Sequence, residues 1–107
     1  MDTQSLRVII QDVIQNYARL QPSHGKIRLD AVFDVERDRY ALMQTGWSQG
    51  KRVRGNLIYV TIESNQIQIE YDGMENGITE DLIERGVPTH QIIHTSLAEA
   101  KVAFAAC

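Results

Sequence analysis

The stretch from Asp38 to Gly77, DRYALMQTGWSQGKRVRGNLIYVTIESNQIQIEYDGMENG, constrains this chain more than any other. It reads as three consecutive strands joined by two tight turns. Arg39 to Ser48 places Tyr40 and Leu42 on one face and Ala41, Met43 and Trp47 on the other, the pattern of a strand inside a sheet. Ser48-Gln49-Gly50 is a short hairpin loop, with Gly50 free to take positive φ. Lys51 to Glu63 is the longest run, charged at its start and apolar through Leu57, Ile58, Tyr59, Val60 and Ile62. Gly55 in its middle predicts a bulge or a close backbone approach. Ser64-Asn65 closes the next hairpin, because Asn tolerates a left-handed conformation. In the following strand Ile67, Ile69 and Tyr71 are expected inward, and Gln68, Glu70 and Asp72 outward.

The flanks supply what a sheet needs to bury one face. From Thr3 to Arg19, the residues Leu6, Ile9, Ile10, Val13, Ile14, Tyr17 and Ala18 follow helical spacing, with Asp2 or Thr3 as the cap. Pro22 and Gly25 mark the loop that follows. Ile27 to Asp34 alternates as a half-buried strand, Ile27, Leu29, Ala31 and Phe33 facing one way, with Val32 breaking the pattern. Asp34 to Asp38 is a polar, solvated turn. A second helix starts at Thr79, with Ile78 and Ile83 placed as a hydrophobic staple, and stops at Gly86 before Pro88. Thr89 can cap one further turn through Ile92. Ser96 to Ala106 is Ala-rich and compatible with helix. The expected fold class is α+β: an N-terminal amphipathic helix on an antiparallel meander of about four strands, then a second helix, all in one domain spanning 1–107.

Composition narrows the function classes. The formal net charge of −3 disfavours non-specific binding to a phosphate backbone. Cys107 is the only cysteine, so no intrachain disulfide is expected and the chain reads as cytoplasmic. MDTQSLRVII has no basic leader region and its apolar residues are helically spaced, so neither a signal peptide nor a membrane span is expected. No nucleophile elbow, phosphate-binding glycine loop or zinc-finger spacing is present, so the chain is expected to be no enzyme and to need no cofactor. His90 and His94 would share a face if Thr89 to Thr95 were one helical stretch, but no third ligand lies nearby and His24 is in a distant loop. Asp34-x-Glu36-x-Asp38 starts like a calcium loop, yet Arg39 stands where Gly is needed and Thr45 where Glu is needed. No metal site is expected.

Two places concentrate residues suited to contact. Lys51-Arg52-Val53-Arg54 is the one basic cluster, across a hairpin from Trp47. Against an acidic total, its plainer reading is a hairpin end kept soluble and protected from edge pairing by charge. Gly73-Met74-Glu75-Asn76-Gly77 has two glycines before a helix, but Glu75, Glu80 and Asp81 would repel a phosphate there. It reads as a turn that re-aims the chain.

Several segments together resemble the XisI family, the small cyanobacterial fdxN-element excision controlling factors. They are Asp38-Arg39-Tyr40-x-Leu42-Met43-x-x-Gly46-Trp47 and Arg52-Val53-x-Gly55-x-Leu57-Ile58. The series continues with Ile67-x-Ile69-x-x-Asp72-Gly73-x-Glu75-x-Gly77-Ile78, then Leu82 and Gly86-Val87-Pro88. The similarity runs from about Leu6 to Ile93. After that the chain departs, lacking the Pro-Pro segment and arginine with which the family generally continues. The resemblance implies a non-enzymatic accessory role beside an endonuclease-like XisH partner, in developmentally regulated excision of a DNA element such as accompanies heterocyst development. It supplies no catalytic residues. The expected partner surface is Trp47, Arg52 and Arg54 with Asp72, Gly73 and Glu75, a concentration of aromatic, arginine and special glycine positions. The alternative is an excisionase-like architectural factor that touches DNA directly; in the first reading, DNA contact is indirect or weak. A homodimer through an edge such as Ile67 to Tyr71 is also compatible with the pattern.

Overall fold

A computed structural model describes residues 1–20 and 26–95. The expectations for Pro22, His24, Gly25 and the tail from Ser96 to Cys107 lie outside the described residues. Helix α1 spans Thr3–Ala18 and is capped by Asp2, whose Oδ1 accepts the Ser5 N–H at 2.7 Å. It buries Leu6, Ile10, Val13 and Ile14. Each of those side chains is worth about 1.5–3 kcal/mol of removal from water, which holds a helix of this length in place.

The strands are β1 (Lys26–Asp34), β2 (Arg39–Ser48), β3 (Lys51–Glu63), β4 (Gln66–Asp72) and β5 (Ile92–His94), in the spatial order β1-β2-β3-β4-β5. The first four form the expected antiparallel meander. The fifth is an addition: three residues after a 3₁₀ turn at Thr89–Gln91 lie parallel to β4, Ile92 opposite Ile67. A strand this short has no periodic signal, which is why four strands rather than five were legible. It also covers Ile67 to Ile69 of β4, so of the edge expected from Ile67 to Tyr71 only the last two residues are left without a β5 partner.

The sheet's inner face carries Tyr40, Leu42, Ile58, Val60, Ile62, Ile67 and Ile69, which form one core with the α1 stripe and with Ile78, Leu82 and Val87. Helix α2 is short, Thr79–Glu84, and packs beside α1 on this face. The staple does not form, since Ile83 is exposed while Ile78 is buried. Instead α2 closes with the predicted glycine. Gly86 takes φ 99°, its N–H bonds Ile83 O, and the Val87 N–H reaches Leu82 O. This is a Schellman closure with Val87 packed inward.

Two register shifts re-aim the sheet. Between β2 and β3, Leu42 faces Ile58 while Met43 faces Asn56, leaving Leu57 as an extra residue. This is the bulge that Gly55 signalled, displaced by two positions. A Cβ at Gly55 itself would meet nothing within 4 Å, so the close-approach alternative does not hold there. Between β3 and β4, Tyr59 faces Tyr71 and Val60 faces Ile69, so Glu70 is extra. That insertion reverses the alternation beyond it. Tyr71, expected inward, is 50% exposed, and Asp72, expected outward, stands opposite buried Ile58.

Candidate interaction surface

The β2–β3 hairpin turns through Gln49 and Gly50, both at positive φ, the backbone twist that a two-residue hairpin loop requires. Its register sets Trp47 opposite Arg52 and Thr45 opposite Arg54. Cross-strand partners share a face, and this one is opposite to Leu42 and Ile58, so these residues stand on the outer side of the sheet. Trp47 is 54% exposed. The Arg52 guanidinium carbon lies 5.7 Å from the Trp47 ring centroid, while Nη2 donates to Thr45 Oγ1 at 3.0 Å. The cation is therefore held over the indole, an interaction worth about 0.5–1 kcal/mol at an exposed site.

Strand β1 extends this surface. Lys26 pairs with Trp47 and Arg28 with Thr45, so two more cations flank the hairpin on the same face. Gly46 permits it. A Cβ there would come within 1.9 Å of Lys26 O, and its φ is 152°. Only glycine lets β1 run this close beside the hairpin base. Arg28 is ion-paired to Asp30, whereas Lys26, Arg52 and Arg54 have no carboxylate partner among the described residues. The local basic character is thus greater than the sequence cluster alone indicates. Neither Lys26 nor Arg28 is near Arg52 in sequence, and only the strand register reveals them.

The turn residues behave differently. Asp72 accepts the Ile78 N–H at 2.8 Å and the Met74 N–H at 3.2 Å. It is the anchor of its own turn, and Gly77 is needed beside it, with φ 73° and only 3.1 Å between a Cβ and Asp72 Oδ2. Gly73 donates to Leu57 O at 2.7 Å and lies under the Tyr71 ring, 3.0 Å from where a Cβ would be. Glu75 is exposed. The turn meets β3 at Leu57, three residues beyond Arg54, or about 10 Å along the strand. Asp72, however, points to the inner side, while Trp47, Arg52 and Arg54 are on the outer side. The aromatic that does share their face is Tyr71, through its pairing with Tyr59. The Glu70 bulge hid that residue from a reading by alternation.

The far end of β2 holds the strongest polar cluster. Arg7 of α1 donates from Nε to Asp38 Oδ1 at 2.7 Å and from Nη2 to Oδ2 at 3.1 Å. Tyr40 donates its hydroxyl to Asp38 Oδ1 at 2.9 Å. The Arg7 hydrogen bond holds the Asp38 carboxyl below its usual range, and burial, aided by Asp38, pushes the Tyr40 hydroxyl up to about 12. The polar turn is therefore not simply solvated, because its last residue is a clamp on α1. A cleft of about 200 Å³ lies between α1 and α2, lined by Val13, Tyr17, Leu20, Asp81 and Arg85 among others. Within it Tyr17 donates to Asp81, and beside it Arg85 pairs with Asp12. Burial, then the Asp81 bond, raises Tyr17 to about 12.

The histidines do not share a helical face. His90 is in the 3₁₀ turn and His94 is in β5, its Nε2 3.0 Å from Thr79 Oγ1. Among the described residues no group of three or more His, Cys, Asp or Glu is placed to hold a metal. No described helix is long and apolar enough to cross a membrane.

Comparison with known proteins agrees with this architecture. A solved XisI-like protein from Anabaena variabilis ATCC 29413 superposes with a TM-score of 0.76 at 21% identity, covering 87% of this chain and 85% of that one. The fdxN element excision controlling factor XisI from the same organism gives a TM-score of 0.68 at 31% identity, covering 85% and 88%. A search of curated proteins found no match. The XisI protein family matches residues 1–105. Nearly the whole length is accounted for, and the chain belongs to the XisI family.

Proposed function

We propose that this chain is a cytoplasmic, non-enzymatic accessory protein that controls site-specific excision of a DNA element by binding an XisH-like, endonuclease-type partner. Family membership carries the reading, since one solved relative is itself an excision controlling factor. The surface that supports it is the outer face of the β2–β3 hairpin. There an exposed tryptophan carries a stacked arginine and is ringed by Lys26, Arg28 and Arg54. Tryptophan and arginine are the residues that dominate binding energy at protein interfaces, and the cations without a carboxylate partner there among the described residues, Lys26, Arg52 and Arg54, select an acidic patch.

Co-expression with the XisH-like protein, with an affinity tag on one chain, tests this. Recovery of both chains is expected. The double variant Arg52→Glu, Arg54→Glu should fold normally, because both side chains are exposed, and should lose the partner. Absence of co-purification, or retention by the variant, overturns the proposed surface.

One observation favours a second reading, direct DNA contact: β1 adds Lys26 and Arg28 to the hairpin cations. That reading requires a mobility shift of element-end DNA whose affinity falls with salt by about one logarithmic unit of slope per phosphate contacted.

A further inference from the structure

We propose that the chain pairs with a second copy of itself through the free edge of β1, in the antiparallel register that places Ala31 on the two-fold axis. Strand β1 is at the end of the sheet, and among the described residues no strand flanks its outer side. It is nine residues long, a run of unpaired backbone groups about 30 Å in extent. The other edge, β5, has only three residues. A long open edge is a template for strand addition unless something blunts it.

The side chains choose the occupant and the register. A two-fold axis perpendicular to the sheet keeps inner faces together, so only residues of equal parity meet. With Ala31 on the axis, Arg28 faces the partner's Asp34, the last residue of the strand, twice over by symmetry. On the inner face Leu29 meets the partner's Phe33, both packed against the core. Val32, 52% exposed and otherwise unexplained on an outer face, stands opposite the partner's Asp30. Moving the axis by one residue toward the N-terminus, to Asp30, sets that carboxylate against its own copy. Moving it the other way, to Val32, sets Asp30 against Asp34. Both are like-charge contacts that the Ala31 register avoids. The pairing joins two five-stranded sheets into one, with both α1 helices on the same side. The Trp47 hairpin face stays open.

Sedimentation velocity of the full chain, from about 1 to 200 µM, reads the association directly. A concentration-dependent dimer is expected. Two substitutions at the same exposed position then report the register. Val32→Asp places a carboxylate against Asp30 twice per dimer and should raise the dissociation constant about tenfold, whereas Val32→Lys should leave it equal or lower. A chain that stays monomeric throughout overturns the proposal, including the case in which removal of residues 96–107 is needed before it dimerises. A dimer indifferent to both substitutions, or one weakened by Lys and not by Asp, overturns this edge and register. Circular dichroism of both variants should match the parent, since Val32 is outside the core.

Discussion

Asp38 joins three parts of the molecule: α1 through Arg7 and β2 through Tyr40 by its carboxylate, and β3 by its backbone carbonyl, which accepts the Ile62 N–H at 3.1 Å. Its φ of 54° is one that Asp and Asn tolerate. Asp38→Asn therefore keeps the backbone and removes the charge. It should cost about 1.5–3 kcal/mol, the range for hydrogen bonds to a charged group, measured by urea unfolding. The pH dependence has a defined sign. The folded carboxyl is held below its ordinary 3.8, so its contribution is present above that value and is lost as pH falls through the lowered one. Tyr17 and Tyr40 are raised from 10.0 to about 12, so their contribution is full below pH 10.0 and is lost on rising towards about 12. The Asn variant should show a shallower acid loss than the parent. Gly46, by contrast, has a single tolerated identity. Gly46→Ala drives a Cβ into Lys26 O, and a loss of about 1–3 kcal/mol or more is expected in the same assay.

At the scale of elements, α1 and the four-strand meander were legible because each repeats a period long enough to count. Leu6, Ile10, Val13 and Ile14 are all buried as their spacing requires. What alternation cannot show is an inserted residue. Glu70 is such an insertion, and it exchanged the faces of Tyr71 and Asp72. Asp38 escaped for a different reason, since its partner Arg7 is thirty-one residues away in the sequence. Half of the candidate surface was legible: Trp47, Arg52 and Arg54 do converge. Lys26 and Arg28 were not, because cross-strand register is a long-range property. Asp72, with α2, carries the prediction at this scale. It supplies the acceptor that Ile78, at the helix N-cap, lacks. Asp72→Ala should lower stability by about 1 kcal/mol in thermal unfolding, as loss of a capping side chain does. An unchanged midpoint would show that the turn is held by its glycines alone.

The whole molecule is two-layered, with both helices on one face of the sheet and the opposite face uncovered among the described residues. That asymmetry separates two tasks. The inner face holds the fold through its aliphatic core, and the outer face presents Trp47 with its cations on a chain whose net charge is −3. A concentrated positive patch on an acidic protein steers an acidic partner while limiting non-specific adhesion. The free edge of β1 borders that face, so self-association through β1 would set two such patches side by side and double the valency towards a partner. The most direct measurement is calorimetric titration of the XisH-like protein with the parent chain and with the Arg52→Glu, Arg54→Glu variant, at low and at physiological salt. The account predicts saturable binding by the parent, weaker at the higher salt, and loss of about tenfold or more in affinity for the folded variant. Equal affinity of parent and variant, or no binding by the parent, would contradict it.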